Sequence, residues 1–337
     1  MLDYRYLGNS GLRVSTLCLG TMDFADGMDE ATAVQVLDLA REHKVNFIDT
    51  ADAYSGGKAE AMLGKLLKQD RAEWVLATKV GQQDGLPHRK RGLSRKWIME
   101  AIDASLKRLQ TDYVDIYYMH HRDRDTPLAE SVAAMGDVVR SGKATYWGFS
   151  NHHGWEIGEI MRLCDQLGVA RPVVSQPMYN LAMRQPENDH LPACEYYDIG
   201  VAAFSPLARG ALTGKYVQGE PPPTDSRGGR GDASVLNRDL TPEVYAVVEA
   251  IKSHLGNRGM TPAEFATLWV LNNKIVTSVI TGPRTLAHWQ SYLNALNREF
   301  SAEDEALVDR MVASGHPAAP GLIWSRHPPM GRVPRTG

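Results

Sequence analysis

The sequence predicts an α/β protein of the (β/α)8 TIM barrel type, with extra helices and a long loop after strand seven, and three observations carry that prediction. Short β-rich runs alternate with longer amphipathic runs eight times along the chain, which calls for parallel strands joined by right-handed crossovers. The β-rich runs are apolar almost throughout, as strands covered by helices should be. The length, 337 residues, suits one such barrel, and the GxGxxG run that opens a doubly wound dinucleotide fold is missing after the first strand.

The elements follow in order. The first dozen residues are expected to form a hairpin plugging the barrel floor. Residues 15–21 (STLCLGT) read as the first strand, and 29–44 as a helix with Asp29 as its N-cap. Strand 45–50 (VNFIDT) precedes helix 58–69, and strand 74–79 (WVLATK) precedes helix 94–110, capped by Ser94. Strand 114–120 leads to helix 127–143, with Pro127 near its first turn. The fifth pair is 144–150 and 155–167, the sixth 173–179 and about 188–197. Strand seven is 201–206; strand eight, 275–281, is followed by helix 285–296. Three stretches stand outside the repeat: the opening hairpin, a Gly/Pro/Arg-rich loop over 217–240 followed by helices 242–255 and 262–272, and an irregular tail over 315–337. A loop that long in a compact domain is usually functional or disordered. No linker divides the chain, so one domain over 1–337 is expected.

Composition excludes several function classes. With 37 Lys and Arg against 40 Asp and Glu the net charge is -3, which favours neither nucleic acid nor an anionic membrane as partner. No apolar run has the length that spans a bilayer, and the opening residues lack a basic segment followed by an apolar run. Cys18, Cys164 and Cys194 are widely spaced without a CxxC, as reduced thiols in a cytoplasmic protein would be. The sequence points to no particular oligomeric state.

In a barrel the functional face lies at the strands' C-terminal ends. Strand two ends in Asp49, with Tyr54 in the next loop; strand three ends in Lys79 and strand four in His120. These strands are neighbours, so the four side chains should converge, and an Asp, a Lys and a His are costly to bury without a use. Tyrosine ionises near pH ~10. A lysine ammonium beside the phenol is expected to lower that value, with Asp49 holding the lysine, so that Tyr54 becomes a proton donor. His120 would orient a substrate oxygen. None of these groups is a redox centre, so an electron carrier must bind nearby.

Six motifs in order then resemble the aldo-keto reductase family: IDTADAYSGGKAEAMLGKLL (48–67), VLATKVG (75–81), LKRLQTDYVDIYYMHHRDRDTPLAE (106–130), WGFSN (147–151), SQPMYNL (175–181) and SPLARGALTGKY (205–216). The resemblance spans about 6–296 and looks closest to the branch holding bacterial reductases and potassium-channel β subunits. It implies Asp49, Tyr54, Lys79 and His120 as the catalytic tetrad. It implies that Gly20 and Thr21 lie against nicotinamide, that Ser150, Asn151 and Gln176 bind its carboxamide, and that Phe204 stacks on its ring. Ser205, Pro206, Leu207, Gly210 and Lys215 would wrap the pyrophosphate, and Arg227 would close the long loop over the cofactor. Gly282, Arg284 and His288 would face the adenosine 2′-phosphate, so NADPH is expected over NADH. The family's last motif departs here, because His288 and Tyr292 stand where Gln and Asn are usual.

A carbonyl or alcohol of small size is the implied substrate, with Met22, Phe24, His121 and Trp324 as expected pocket residues. A nicotinamide-binding regulatory subunit and a metal-dependent barrel hydrolase are the alternatives. The pairs His120-His121 and His152-His153 match no common metal spacing, and no metal is expected. GALTGKY (210–216) is one residue short of a P-loop and has Tyr216 where Ser or Thr would bind magnesium. The basic run 88–91 (HRKR) reads as a solvated rim loop.

Overall fold

The computed structural model describes residues 3–82 and 92–320. Strands β1 (Tyr4–Tyr6) and β2 (Arg13–Ser15) form the antiparallel hairpin. Eight parallel strands then close a barrel: β3 (Leu17–Gly20), β4 (Phe47–Asp49), β5 (Val75–Val80), β6 (Val114–Met119), β7 (Ala144–Ser150), β8 (Val174–Gln176), β9 (Gly200–Phe204) and β10 (Val276–Thr281), with β10 pairing back onto β3. The helices are α1 (Glu30–Glu42), α2 (Lys58–Leu66), α3 (Arg95–Leu109), α4 (Leu128–Arg140), α5 (Gly154–Leu167), α6 (His190–Tyr196), α7 (Pro242–Leu255), α8 (Pro262–Asn272), α9 (Leu286–Ala295) and α10 (Ala302–Met311).

The period-two alternation of each strand separates two cores. Cys18, Phe47, Ala77, Ile116, Tyr118, Val174 and Ala202 fill the barrel, while Leu17, Leu19, Ile48, Leu76, Tyr117, Met119 and Phe149 pack outward under the helices. The hairpin adds Leu7 and Val14 to the inner core. Its turn sits so close to the barrel that a Cβ on Gly8 would lie 2.5 Å from Gly200 N and Val173 O. The hairpin therefore closes the floor, which leaves the opposite face as the one open to a ligand.

Several boundaries shift for local reasons. The run 15–21 divides between β2 and β3, because Ser15 pairs with Tyr4 in the hairpin. Pro127 takes the N-cap position of α4 rather than its first turn. Asp29 and Ser94 cap α1 and α3 through Thr32 N and Trp97 N, as expected. The long loop ends in a π-helical turn, Val235–Asp239, whose Asp239 accepts from Arg209 at 2.7 Å. Helix α10 has no counterpart in the sequence reading; its signal was the capping box of Ser301 and Asp304. Among the described residues no helix is long and apolar enough to cross a membrane. The basic run 88–91, Trp324 and the tail beyond 320 lie outside the described residues.

Candidate active site

The loops at the open face continue the barrel's hydrogen-bond ladder, which places the polar side chains. Thr50 N donates to Ala77 O, Asp52 N to Lys79 O and His120 N to Val80 O. Tyr54 opens a tight 3-10 turn, Tyr54–Gly57, in which Ser55 and Gly56 are left-handed. Ser55 Oγ ties that turn to Phe24 O at 2.7 Å. Asp49, Tyr54, Lys79 and His120 are thus brought together, as the strand-end argument required.

Lys79 is fully buried and commits three donors. They go to Asp49 Oδ1, to Thr50 O at 2.8 Å and to Tyr54 OH at 2.9 Å. An ammonium has three N–H groups, so the phenol oxygen accepts from Lys79 and the phenol proton is left to point elsewhere. Burial works against the ammonium, but Asp49 and Tyr54 outweigh it and hold the Lys79 pKa above its ordinary value. Burial raises Asp49, with Lys79 and Gln176 opposing. Tyr54 corrects an expectation. Lys79 does pull its pKa down, but burial is the larger effect, and the phenol titrates above its usual value. The His120 ring stands edge-on to Tyr54, with centroids 6.0 Å apart.

A second layer supports the first. Gln176 Nε2 donates to the other Asp49 oxygen at 2.9 Å. Ser150 Oγ donates to Gln176 O at 2.7 Å and accepts from Asn151 Nδ2 at 2.9 Å. Thr21 donates to Asp49 O through both its N and its hydroxyl, each at 3.0 Å. A Cβ on Gly20 would meet Ile280 Cγ2 at 2.9 Å. Sequence reasoning missed Asp52, whose carboxyl is pushed up to about 7 by burial and by the charge of Glu60, against Arg108.

On the other side of the mouth the chain bends sharply after β9. Phe204 and Leu207 are partly exposed and Pro206 is buried. Ser205, Ala208, Arg209 and Gly210 all have left-handed φ. This contorted loop curls so that a Cβ on Gly210 would lie 2.9 Å from Lys215 Nζ. Such a loop of backbone N–H groups with a lysine over it fits a phosphate. At the neighbouring strand end, a Cβ on Gly282 would meet nothing within 4 Å, so space lies open there. Arg227 pairs with Asp23 at 3.3 Å, and Arg284 Nε lies 3.9 Å from the same carboxylate. Arg284 Nη1 also donates to Asp225 O at 3.2 Å. His288 is held below its ordinary pKa by partial burial, then by Lys215 and Arg284, against Asp225 and Asp23. The expected cationic groups do gather on one side, and Asp23, which no motif flagged, is the acid between two of them.

Of the expected pocket residues, Met22 is exposed at the mouth. Phe24 is fully buried in the outer core, so it packs instead of facing substrate. An apolar residue in a loop after a strand reads as rim, but this loop folds back, bridging Phe24 to Met28. His121 is buried as well.

A barrel with this polar mouth defines a class, and the comparisons agree with it. The model of the aldo/keto reductase family matches residues 16–313, and the chain belongs to that family. It is 39% identical over 302 residues to a probable voltage-gated potassium channel subunit beta of Arabidopsis thaliana, covering 88% of this chain and 92% of that one. It is 37% identical over 318 residues to the uncharacterized oxidoreductase YrpG of Bacillus subtilis, covering 91% and 94%. A putative channel subunit beta of Schizosaccharomyces pombe is 37% identical over 292 residues, covering 83% and 84%.

Proposed function

We propose that the protein reduces an aldehyde or ketone to the alcohol, reversibly, with NADPH. The observation that carries this reading is the ammonium of Lys79, whose three protons are spoken for by Asp49, Thr50 and Tyr54. When bound, the reduced nicotinamide supplies the hydride. The chain's own residues supply the proton. Tyr54, its oxygen held by Lys79, donates its O–H to the substrate oxygen as negative charge develops there. Lys79 stabilises the phenolate left behind, and Asp49 holds Lys79 protonated and in place. His120 orients the substrate oxygen, and in the reverse direction the Tyr54 phenolate takes the alcohol proton. Gln176, Ser150 and Asn151 would hold the carboxamide, Gly20, Thr21 and Phe204 the ring, and the loop 205–215 the pyrophosphate. Arg284 and His288 would take the 2′-phosphate, with Arg227 closing over the whole.

The names of the channel-subunit relatives favour one second reading, a nicotinamide-binding regulatory subunit. One set of experiments separates the two. NADPH and NADH are titrated by fluorescence, and a panel of aldehydes, ketones and sugar-derived carbonyls is screened for NADPH oxidation. Turnover with tighter NADPH binding, weakened selectively by Arg284→Ala, supports the reductase. Tight binding with no turnover on any carbonyl favours the subunit. Equal loss of both cofactors in Arg284→Ala would remove that residue from the 2′-phosphate.

A further inference from the structure

His120 lies just beyond the end of β6. Its ring is stacked on the ring of His121, with centroids 4.2 Å apart and planes 13° from parallel. His121 is in turn held at both nitrogens. Nδ1 lies 3.1 Å from Asn151 Nδ2, and Nε2 lies 3.0 Å from Gln82 Oε1. Gln82, His121 and Asn151 follow three consecutive barrel strands, β5, β6 and β7, so the histidine ties three neighbouring loops together.

The chemistry of these contacts dictates a tautomer. A carbonyl oxygen can only accept, and His120 O lies 2.8 Å from Asn151 Nδ2. That contact fixes which end of the Asn151 amide carries the protons. The two amide protons are shared among His120 O, Ser150 Oγ and His121 Nδ1, and because an amide nitrogen has no lone pair to offer, Nδ1 meets a donor and keeps its own lone pair. The ring proton then sits on Nε2 and donates to Gln82 Oε1. Protonating Nδ1 would set N–H against N–H, and turning the amide round would set two oxygens together. We propose that His121 is a positioning residue, locked as the neutral Nε2–H imidazole by Gln82 and Asn151, and that its stacked ring fixes the plane of His120 toward Tyr54. Among the described residues, His120 stands edge-on to Tyr54, which is bonded to the Lys79–Asp49 pair, and Arg122, next along the chain, pairs with Glu156 and lies over Trp155. The consequence for turnover rests on the reductase reading; the tautomer does not.

Long-range ring 15N spectra of the cofactor-free full chain test the tautomer directly. His121 is assigned by the signals missing from His121→Phe or, should that variant not fold, by those displaced in Gln82→Leu. The expected ring is neutral Nε2–H at every pH from about 5 to about 9, through the range where an ordinary histidine titrates. Protonation with a midpoint near the usual ~6.5, or an Nδ1–H ring, would overturn the proposal. In turnover, His121→Phe keeps a ring to stack and loses both anchors, so kcat should fall about tenfold, a loss of about 1.4 kcal/mol in transition-state stabilisation, with cofactor affinity unmoved. An unchanged kcat in this variant would also overturn it.

Discussion

The two sides of the barrel mouth are built on different terms. On the β4–β6 side, Asp49 and Lys79 are buried and joined through hydrogen bonds to Tyr54 and Gln176. On the β9–β10 side, Lys215 and His288 are exposed, and Arg227 and Arg284 lean on one carboxylate, Asp23, at 3.3 and 3.9 Å. The first side is preorganised, because a buried charge that moved away from its partner would be costly. The second is adjustable, because partly exposed ion pairs are worth little and can exchange partners. On the proposed function, the proton chemistry would live where nothing can relax, and the grip on a charged cofactor where partners can change.

The largest expected effect breaks the buried side. Lys79→Met leaves Asp49 buried without its cation, so unfolding free energy should drop by about 3–5 kcal/mol and turnover by about 10²–10⁴-fold or more. Arg227→Ala breaks a pair with Asp23 that is only partly buried, so it should cost stability clearly less. Denaturant titration of both variants checks the contrast, and equal losses would erase it.

The next effects probe the adjustable side. Gly210→Ala places a Cβ against the tip of Lys215 in a backbone at φ 97. The lysine tip can move, so the cost is mainly backbone strain, about 1–3 kcal/mol. NADPH affinity should weaken about tenfold while saturated turnover holds. Asp23→Asn frees Arg227 and Arg284 from their shared acid, and NADPH should dissociate a few-fold faster in stopped flow while hydride transfer in a single turnover stays the same. A slower transfer step would mean that Asp23 belongs to the chemistry.

A pH-dependent effect sharpens the account of the buried side. Asp52 has a folded pKa of about 7, above the ~3.9 of an unfolded aspartate. The folded state holds that proton more tightly, so stability is lost as pH rises from about 4 through about 7. Asp52→Asn should match the parent's Tm near pH 4 and exceed it near pH 8. A parent protein that gains on the variant as pH rises would contradict the burial argument.

The same division decides what could be read from sequence. Asp49, Lys79 and His120 were found because strand ends in a barrel are a short list, and because polar residues there break an apolar pattern. Ser94 and Asp29 as caps were local chemistry, readable within four residues. Asp23 and Arg227 are 204 positions apart, and only the closed barrel makes them partners. Gln82 carries no motif, and its role exists only because β5, β6 and β7 are adjacent. The direction of the Tyr54 shift was misjudged for a similar reason: the ammonium beside it was foreseeable from strand order, but the degree of burial needed the packed structure. Phe24 failed because a loop's return path is set by what it packs on.

The central claim is that Tyr54 gives the proton from a hydroxyl held by Lys79. Tyr54→Phe removes that hydroxyl and keeps the ring, so folding and NADPH affinity should stay close to normal. Single-turnover carbonyl reduction and cofactor affinity, measured on the same preparations, test it. The account predicts a loss of about 10²–10⁴-fold or more in the transfer step with the dissociation constant for NADPH unchanged. Full activity in Tyr54→Phe would contradict it, and so would a loss of activity that simply follows a loss of cofactor binding.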